Sequence, residues 1–543
     1  MKQHRMFSPV EAIKSVLIFL LTVLMLVLTI LLVIGQNSTG EETLPQADRM
    51  VIYASGEQSK YVFGMDTERV SPNLLAYRRF GGETCVLHAS DTVSKPYEVL
   101  FPTLRALFGA DGIGYAMDAD AGCRLLSACI GMDNYVYVRY HGALPSSVIR
   151  AYTYSEEDSE TAMAVLDEYA GGNAAYVREL FLIPAGLLWE DESLLSALPM
   201  PDPTVVCAVT CDDRGTVTLF LPANGNGKPQ ARSAEEEVGT TDSDADSRVR
   251  AADSALDEVI ASMAALSKQV QTGTLTFSDT VCGVTVSLDG VYSMPRIERG
   301  RYDPARLYDE PQKLSSVLGL LGLREGEADN YYTDGAGDRI YLNASGRLTV
   351  SNTASVIRYV ALQEGGLDPA DYLGYASIGQ DYLLSEYLRA SDKLLSLLSA
   401  ADPMFGGNAL SCTLTDVELS SAEDADTLVL TWGYTYRGIP LLDDGGVILP
   451  AMVLRASGGV ITELELYLCD AVLSEEEQYL LPQSVMAEAM ALELSQNSAA
   501  QPDADLPDTM DEVTAAEIPL SMAYLCDSHD SWGTFSADWI GMQ

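Results

Sequence analysis

Histidine is scarce in this 543-residue chain: four occur, at positions 4, 88, 141 and 529. So dispersed, they form no metal cluster, and no His-Glu-x-x-His pair is present to hold a catalytic zinc. Cys-x-x-Cys is missing as well, which leaves zinc-ribbon and thioredoxin-type chemistry unsupported. There is no Gly-x-Ser-x-Gly nucleophile elbow and no phosphate-cradling Gly-x-x-x-x-Gly-Lys loop. No motif asks for a cofactor, and no metal site is expected. Basic residues are few too, 33 Lys and Arg against 78 Asp and Glu, for a net charge of −45 at pH 7. Such a field repels phosphate backbones and anionic lipid headgroups, so nucleic acid is excluded as a partner.

What is present begins with Ser15 to Ile34, twenty consecutive residues with no charge and three hydroxyls. At about 1.5 Å of rise per residue this run spans roughly 30 Å, the hydrocarbon thickness of a bilayer. It reads as one transmembrane helix. Lys2, Arg5 and Lys14 precede it and Glu41, Glu42 and Asp48 follow it, so the positive-inside rule puts the N-terminus in the cytoplasm. The large C-terminal portion is then extracytoplasmic, on the cell membrane. A cleaved signal peptide would need a shorter apolar core and a small-residue cleavage site, and neither is found. Ser15, Thr22 and Thr29 recur every seven residues and share one helix face. In lipid, such small hydroxyl residues let a second helix approach closely and hydrogen-bond across the contact. The alternative is that each hydroxyl returns to a carbonyl of its own helix.

The fold class expected is α+β: one N-terminal transmembrane helix followed by a multi-domain ectodomain of antiparallel sheets with packed helices. The divisions expected are a cytoplasmic tail (1–14), the span (15–34), a juxtamembrane linker (35–49), an N-terminal α+β domain (50–222), an acidic flexible linker (223–246), a middle α+β domain (247–400) and a C-terminal α+β domain (401–543). In the first domain, VIYASG opens as a strand, Tyr97 to Phe108 reads as a helix, and Tyr135, Tyr137 and Arg139 alternate along a strand. In the second, Val249, Leu256, Ile260, Met263 and Leu266 line one side of a helix, and another helix runs around Pro304 to Leu321. In the third, Ser474 with Glu477 forms a capping box that starts a helix. The shared order of helix and antiparallel sheet in the last two domains suggests internal duplication.

The chemistry-bearing fragments are weak. Asp242, Asp244, Asp246 and Asp253 have the spacing of a calcium loop, but Ser247 stands where its sharp turn wants glycine. Asp118, Asp120 and Gly122 are a weaker fragment still. Gly109, Gly112 and Gly114 resemble a nucleotide loop with the wrong spacing and no lysine. Cys526-Asp527-Ser528-His529-Asp530 gathers a thiol, a hydroxyl, an imidazole and carboxylates, but sequence neighbours rarely converge as a triad, so it reads as a turn between strands. The nine cysteines are irregularly spaced and read mainly as small buried apolar residues; Cys207 and Cys211 are too far apart along a strand to bridge, and a Cys123 to Cys129 disulfide is open.

The opening EAIKSVLIFLLTVLMLVLTILL resembles the anchor of the YycH and YycI regulators of the WalK (YycG) sensor histidine kinase of Firmicutes. YYTDGAGDRIYLNASGRLTVSNTASVIRY resembles their sheet region, and TWGYTYRGIPLL with GGVILPAMVLRASGGVITELELYL their closing sheet. Where the family often carries Pro-x-Trp, this chain has Pro450-Ala451-Met452. The resemblance implies a non-enzymatic regulator of a two-component system in cell-wall homeostasis. Its span would contact the kinase's transmembrane helices through Ser15, Thr22 and Thr29, and its ectodomain would contact the kinase or a second anchored regulator. Two competing expectations are an anchored envelope hydrolase, in which His529, His141 or His88 would converge with a nucleophile or carboxylate, and an anchored ligand-binding module.

Overall fold

The computed structural model describes residues 67–541 apart from internal segments, the longest of which are 186–205, 223–255, 374–383 and 501–519. The apolar run with Ser15, Thr22 and Thr29, the VIYASG stretch, Val249, Pro304, the aspartates of the 242–253 fragment and His529 therefore lie outside the described residues. Among the described residues, no helix is long and apolar enough to cross a membrane.

The architecture is α+β, and its strands are overwhelmingly antiparallel. The first sheet comprises β1 (Leu74–Arg78), β2 (Thr84–Leu87), β3 (Ile113–Ala116), β4 (Tyr135–Pro145), β5 (Tyr176–Pro184), β6 (Val206–Cys211), β7 (Val217–Leu221), β8 (Gln271–Ser278) and β9 (Gly283–Asp289). Their order is β3-β7-β6-β5-β4-β1-β2-β8-β9. The second sheet comprises β10 (Tyr292–Arg299), β11 (Tyr332–Thr333), β12 (Arg339–Leu342), β13 (Gly346–Val350), β14 (Val356–Ala361), β15 (Ser411–Ala422), β16 (Ala425–Tyr436), β17 (Ile439–Leu442), β18 (Pro450–Ser457), β19 (Val460–Tyr467), β20 (Ala471–Leu480), β21 (Leu520–Cys526) and β22 (Thr534–Gly541). Its order is β11-β12-β13-β14-β19-β18-β16-β17-β21-β22-β10-β20, with β15 on β16, and β17–β21 is a parallel pair.

Strand pairing cuts across the divisions expected at 247 and 401. The β8–β9 hairpin extends the first sheet, with Cys85 opposite Thr272. β14, from the expected middle domain, pairs with β19, from the expected C-terminal one, Val356 opposite Tyr467. The two stretches read as repeats thus share one sheet. Ladder partners are chosen by edge complementarity and not by closeness in sequence.

Two local expectations are corrected. Tyr97 to Phe108 is two helices, Ser90–Glu98 and Phe101–Leu107, the second with its proline in the first turn, where a missing N–H costs nothing. Ser474 and Glu477 lie in β20, paired with β10; the helix runs over Gln483–Ala500, after Pro482. A capping signature is local, and the strand ladder overrides it. Asp118, in the fragment set aside above, is the N-cap of the helix Ala119–Ile130, its Oδ1 accepting from Ala121 N–H at 2.8 Å. Over 256–266, Leu256, Ile260 and Met263 are buried as the pattern expects, whereas Leu266 is exposed.

The cysteines are also rearranged. Cys123 bridges to Cys282, 159 positions away, tying the helix Ala119–Ile130 to the turn before β9. Cys129 remains a free, buried thiol. Six residues along one helix separate Cys123 and Cys129 by about 9 Å of rise, beyond disulfide reach. Cys207 and Cys211, both on β6, are free as their spacing requires.

The two sheets meet where β4 and β15 both bulge. β4 slips register against β5 between Arg139 and Leu144, and β15 slips against β16 between Leu414 and Asp416. Gly142 sits at the crossing, where a Cβ would lie 1.9 Å from the Thr415 carbonyl oxygen, so no larger residue fits. Tyr176 Oη donates to the Val417 carbonyl at 3.0 Å, and Arg69 donates to the Cys412 carbonyl at 3.1 Å while pairing with Asp392 at 2.9 Å. Tyrosines fill much of the core on either side, among them Tyr135, Tyr137, Tyr140, Tyr359, Tyr434 and Tyr524.

Candidate functional site

A cleft of about 480 Å³ lies on one face of the first sheet at its β3 edge. Its floor follows from strand register. Gly114 stands opposite Phe220 and Ala116 opposite Thr218, which itself stands opposite Thr210, so small side chains and hydroxyls alternate across β3 and β7. Gly112 is required because a Cβ would lie 2.0 Å from the Leu107 carbonyl oxygen, and at Gly114 a Cβ would press on the Phe220 ring at 3.0 Å. Phe220 packs edge-on against Phe108 at 4.8 Å between centroids, making the apolar wall.

The polar rim comes from Ser146, Tyr176, Asp212, Thr216 and Thr218. Asp212 Oδ1 accepts from the N–H groups of Arg214 and Thr216, at 2.9 and 2.7 Å, which fixes the β6–β7 turn. Beside it Asp213 pairs with Arg178 at 2.7 Å and accepts from Ala143 N–H at 3.2 Å. On β15, partial burial first, then Glu418 and Asp213, push the Asp416 carboxyl up to about 6. Among the described residues lining the cleft there is no histidine, cysteine or lysine, and the one carboxylate, Asp212, is engaged by the turn N–H groups. The arrangement is suited to binding a small molecule with hydroxyl or amide groups.

The two described histidines, His88 and His141, are elsewhere and share neither that cleft nor the small cavity beside His88. His88 places Nε2 3.2 Å from Gln271 Oε1 and meets the Tyr292 ring edge-on at 4.9 Å. It borders, with Arg139, Gln483 and Trp539, a cavity of about 40 Å³, room for a few waters and not for a substrate. His141, on β4, is buried with no hydrogen-bond partner on either ring nitrogen, and desolvation pushes its imidazole down to about 4. His529 lies outside the described residues, within the connection between β21 and β22, where Cys526 stands opposite Phe535. Among the described residues no group of three His, Cys, Asp or Glu side chains is placed to hold a metal ion.

A buried ion pair sits near the junction. Arg139 Nη2 lies 3.2 Å from Glu179 Oε1, and its Nε donates to Tyr137 Oη at 3.0 Å. The same pair grips one residue of β9: Val284 N–H donates to Glu179 Oε2 at 3.1 Å, and the Val284 carbonyl accepts from Arg139 Nη2. β9 ends the sheet, so these side chains stand where a further strand would be.

No family model, curated protein or solved structure matches the chain. The likeness to the kinase regulators therefore rests on the segments quoted above. Of the site residues expected from sequence, Ser15, Thr22 and Thr29 lie outside the described residues. Sequence reasoning missed the cleft, although Gly109, Gly112 and Gly114, set aside as a failed nucleotide loop, line it. The cluster of glycines was the available signal; the wall from β7, a hundred residues on, was not.

Proposed function

We propose that this chain is a membrane-anchored regulator whose extracytoplasmic body and span act by contact on a sensor histidine kinase, without making or breaking bonds. The observation that carries the reading is the uncharged run of twenty residues with Ser15, Thr22 and Thr29 on one face. A helix pair with two packing arrangements shifts toward whichever one a third helix packs against better. A differential of a few kcal/mol is enough to invert such an equilibrium. The Cys123–Cys282 disulfide supports an extracytoplasmic location, since such bonds persist in oxidising compartments.

The test replaces Ser15, Thr22 and Thr29 together by leucine, keeping the run apolar. Kinase output should change to that of a strain lacking the protein, while the Cys123–Cys282 bond still forms in the membrane fraction. Wild-type output from the triple variant would overturn the reading. A second reading, an anchored ligand-binding module, is favoured by the cleft of about 480 Å³ with its ring of hydroxyls. The two are compatible where a ligand biases the contact.

A further inference from the structure

β20 closes one end of the second sheet: it pairs with β10 along one side, from Tyr292 opposite Leu480 to Arg299 opposite Ala471, and with no described strand along the other. Open strand edges are templates for pairing, and proteins normally keep them short or twisted away. This one is ten residues long, slips register against β10 between Leu473 and Glu477, and is unusual in its outward side chains. Alternate residues Leu473, Glu475, Glu477 and Tyr479 all lie exposed, the tyrosine at 69% of its surface. Register extends the apolar part, since Val291 flanks Leu481 beside the buried pair Tyr292 and Leu480, and Val485 follows in the first turn of the helix Gln483–Ala500.

Charge decides what fits. Glu475, Glu476 and Glu477 are consecutive, with Arg296 reaching Glu476 at 3.8 Å. A second copy paired edge to edge would bring the same three glutamates into opposition, and like charges directly across a ladder are unfavourable. The chain's own 501–519 carries Asp503, Asp505, Asp508, Asp511, Glu512 and Glu517 and no basic residue, so it is repelled too. We propose that the free edge of β20 docks an extended segment of a partner protein whose side chains run apolar, basic, basic, apolar at alternate positions. That order answers Tyr479, Glu477, Glu475 and Leu473 in turn, with main-chain pairing supplied by the regular stretches on either side of the slip. The inference deepens the contact reading above by naming a surface of the ectodomain, and its test needs neither the kinase nor the span.

The probe is the acetylated peptide LTKTKTY, compared with KTLTYTK, which has the same composition and charge in the inverse pattern. Both are added to the full chain in detergent micelles at an ionic strength of about 0.15 M, where distant charges are screened. Hydrogen–deuterium exchange over 472–479 should slow with LTKTKTY, and its affinity by fluorescence anisotropy should exceed that of KTLTYTK by about tenfold, because opposite-charge and aromatic–aliphatic cross-strand pairs reinforce one another. The variant Glu475→Lys/Glu477→Lys should lose LTKTKTY and gain LTETETY. Equal binding of the two basic peptides, protection elsewhere than 472–479, or protection that grows with protein concentration without peptide would each overturn the proposal. The last outcome would assign the edge to a second copy. A failed stripe experiment alongside a positive peptide result would sink the kinase reading and leave this surface standing.

Discussion

Removing Glu179 tests most sharply how the first sheet is held together. Its carboxylate has two tasks: it neutralises Arg139, whose side chain is 6% exposed, and it accepts the Val284 N–H. Glu179→Ala leaves a buried guanidinium without a counter-charge, which costs about 3–5 kcal/mol when a buried pair is broken from one side. It also orphans a buried donor worth about 1–3 kcal/mol, a loss that overlaps the first because both follow from one vacancy. The expected total is about 3–5 kcal/mol, read as a fall in the urea midpoint of the full chain in micelles. Exchange at Val284 and its β9 neighbours should quicken beyond the global change. Glu179→Gln, which keeps an acceptor for Val284 but not the charge, should fall between. The double variant Arg139→Met/Glu179→Leu should cost less than the sum of the two single changes. A loss under about 1 kcal/mol for Glu179→Ala would refute the reasoning, because it would mean the pair is solvated or dispensable.

His141, with its folded-state value pushed down to about 4 from 6.5, is held neutral; its contribution is intact above pH 6.5 and drains away as pH falls toward 4. That depression is worth up to about 3 kcal/mol, so His141→Leu should flatten acid denaturation between those limits and change little at pH 8. Asp416 has the opposite sign: its folded value of about 6 against 3.8 favours the protonated form, a contribution present below 3.8 and lost as pH rises through 6. Asp416→Asn should therefore stabilise at pH 8 relative to pH 4, by under about 1 kcal/mol because the group is half exposed and screened. Cys123→Ala/Cys282→Ala opens a loop closed across 159 positions, and loop-closure entropy sets a ceiling of about 5 kcal/mol on the loss, measurable as a lowered thermal midpoint.

Hairpins were legible in the sequence and sheets were not. The β18–β19 pair stands out because alternation on both sides of Gly458 and Gly459 is a local signal, and both glycines take positive φ as that turn requires. Nothing local says that β8 will leave its neighbours to join β2, or that β10 will separate from β9 to meet β20 and β22. β20 was misread because Ser474 and Glu477 imitate a helix start, while the ladder with β10 outweighs a cap. β4 shows a different failure: Tyr135, Tyr137 and Arg139 alternate along one side of the strand, yet both faces are buried, with Arg139 bonded to Val284 of β9 on that side and Tyr140 bonded to Tyr97 of the helix Ser90–Glu98 on the other. The cleft likewise joins strands about a hundred residues apart, so its glycines were visible and its walls were not.

The contact account is tested most directly in proteoliposomes holding the sensor kinase, by measuring autophosphorylation with the anchored chain and with a soluble form beginning at Gln36. The account predicts that the anchored chain shifts the kinase rate and that the soluble form, even in excess, does not reproduce the shift. An equal shift from the soluble form, or none from the anchored chain, would contradict it.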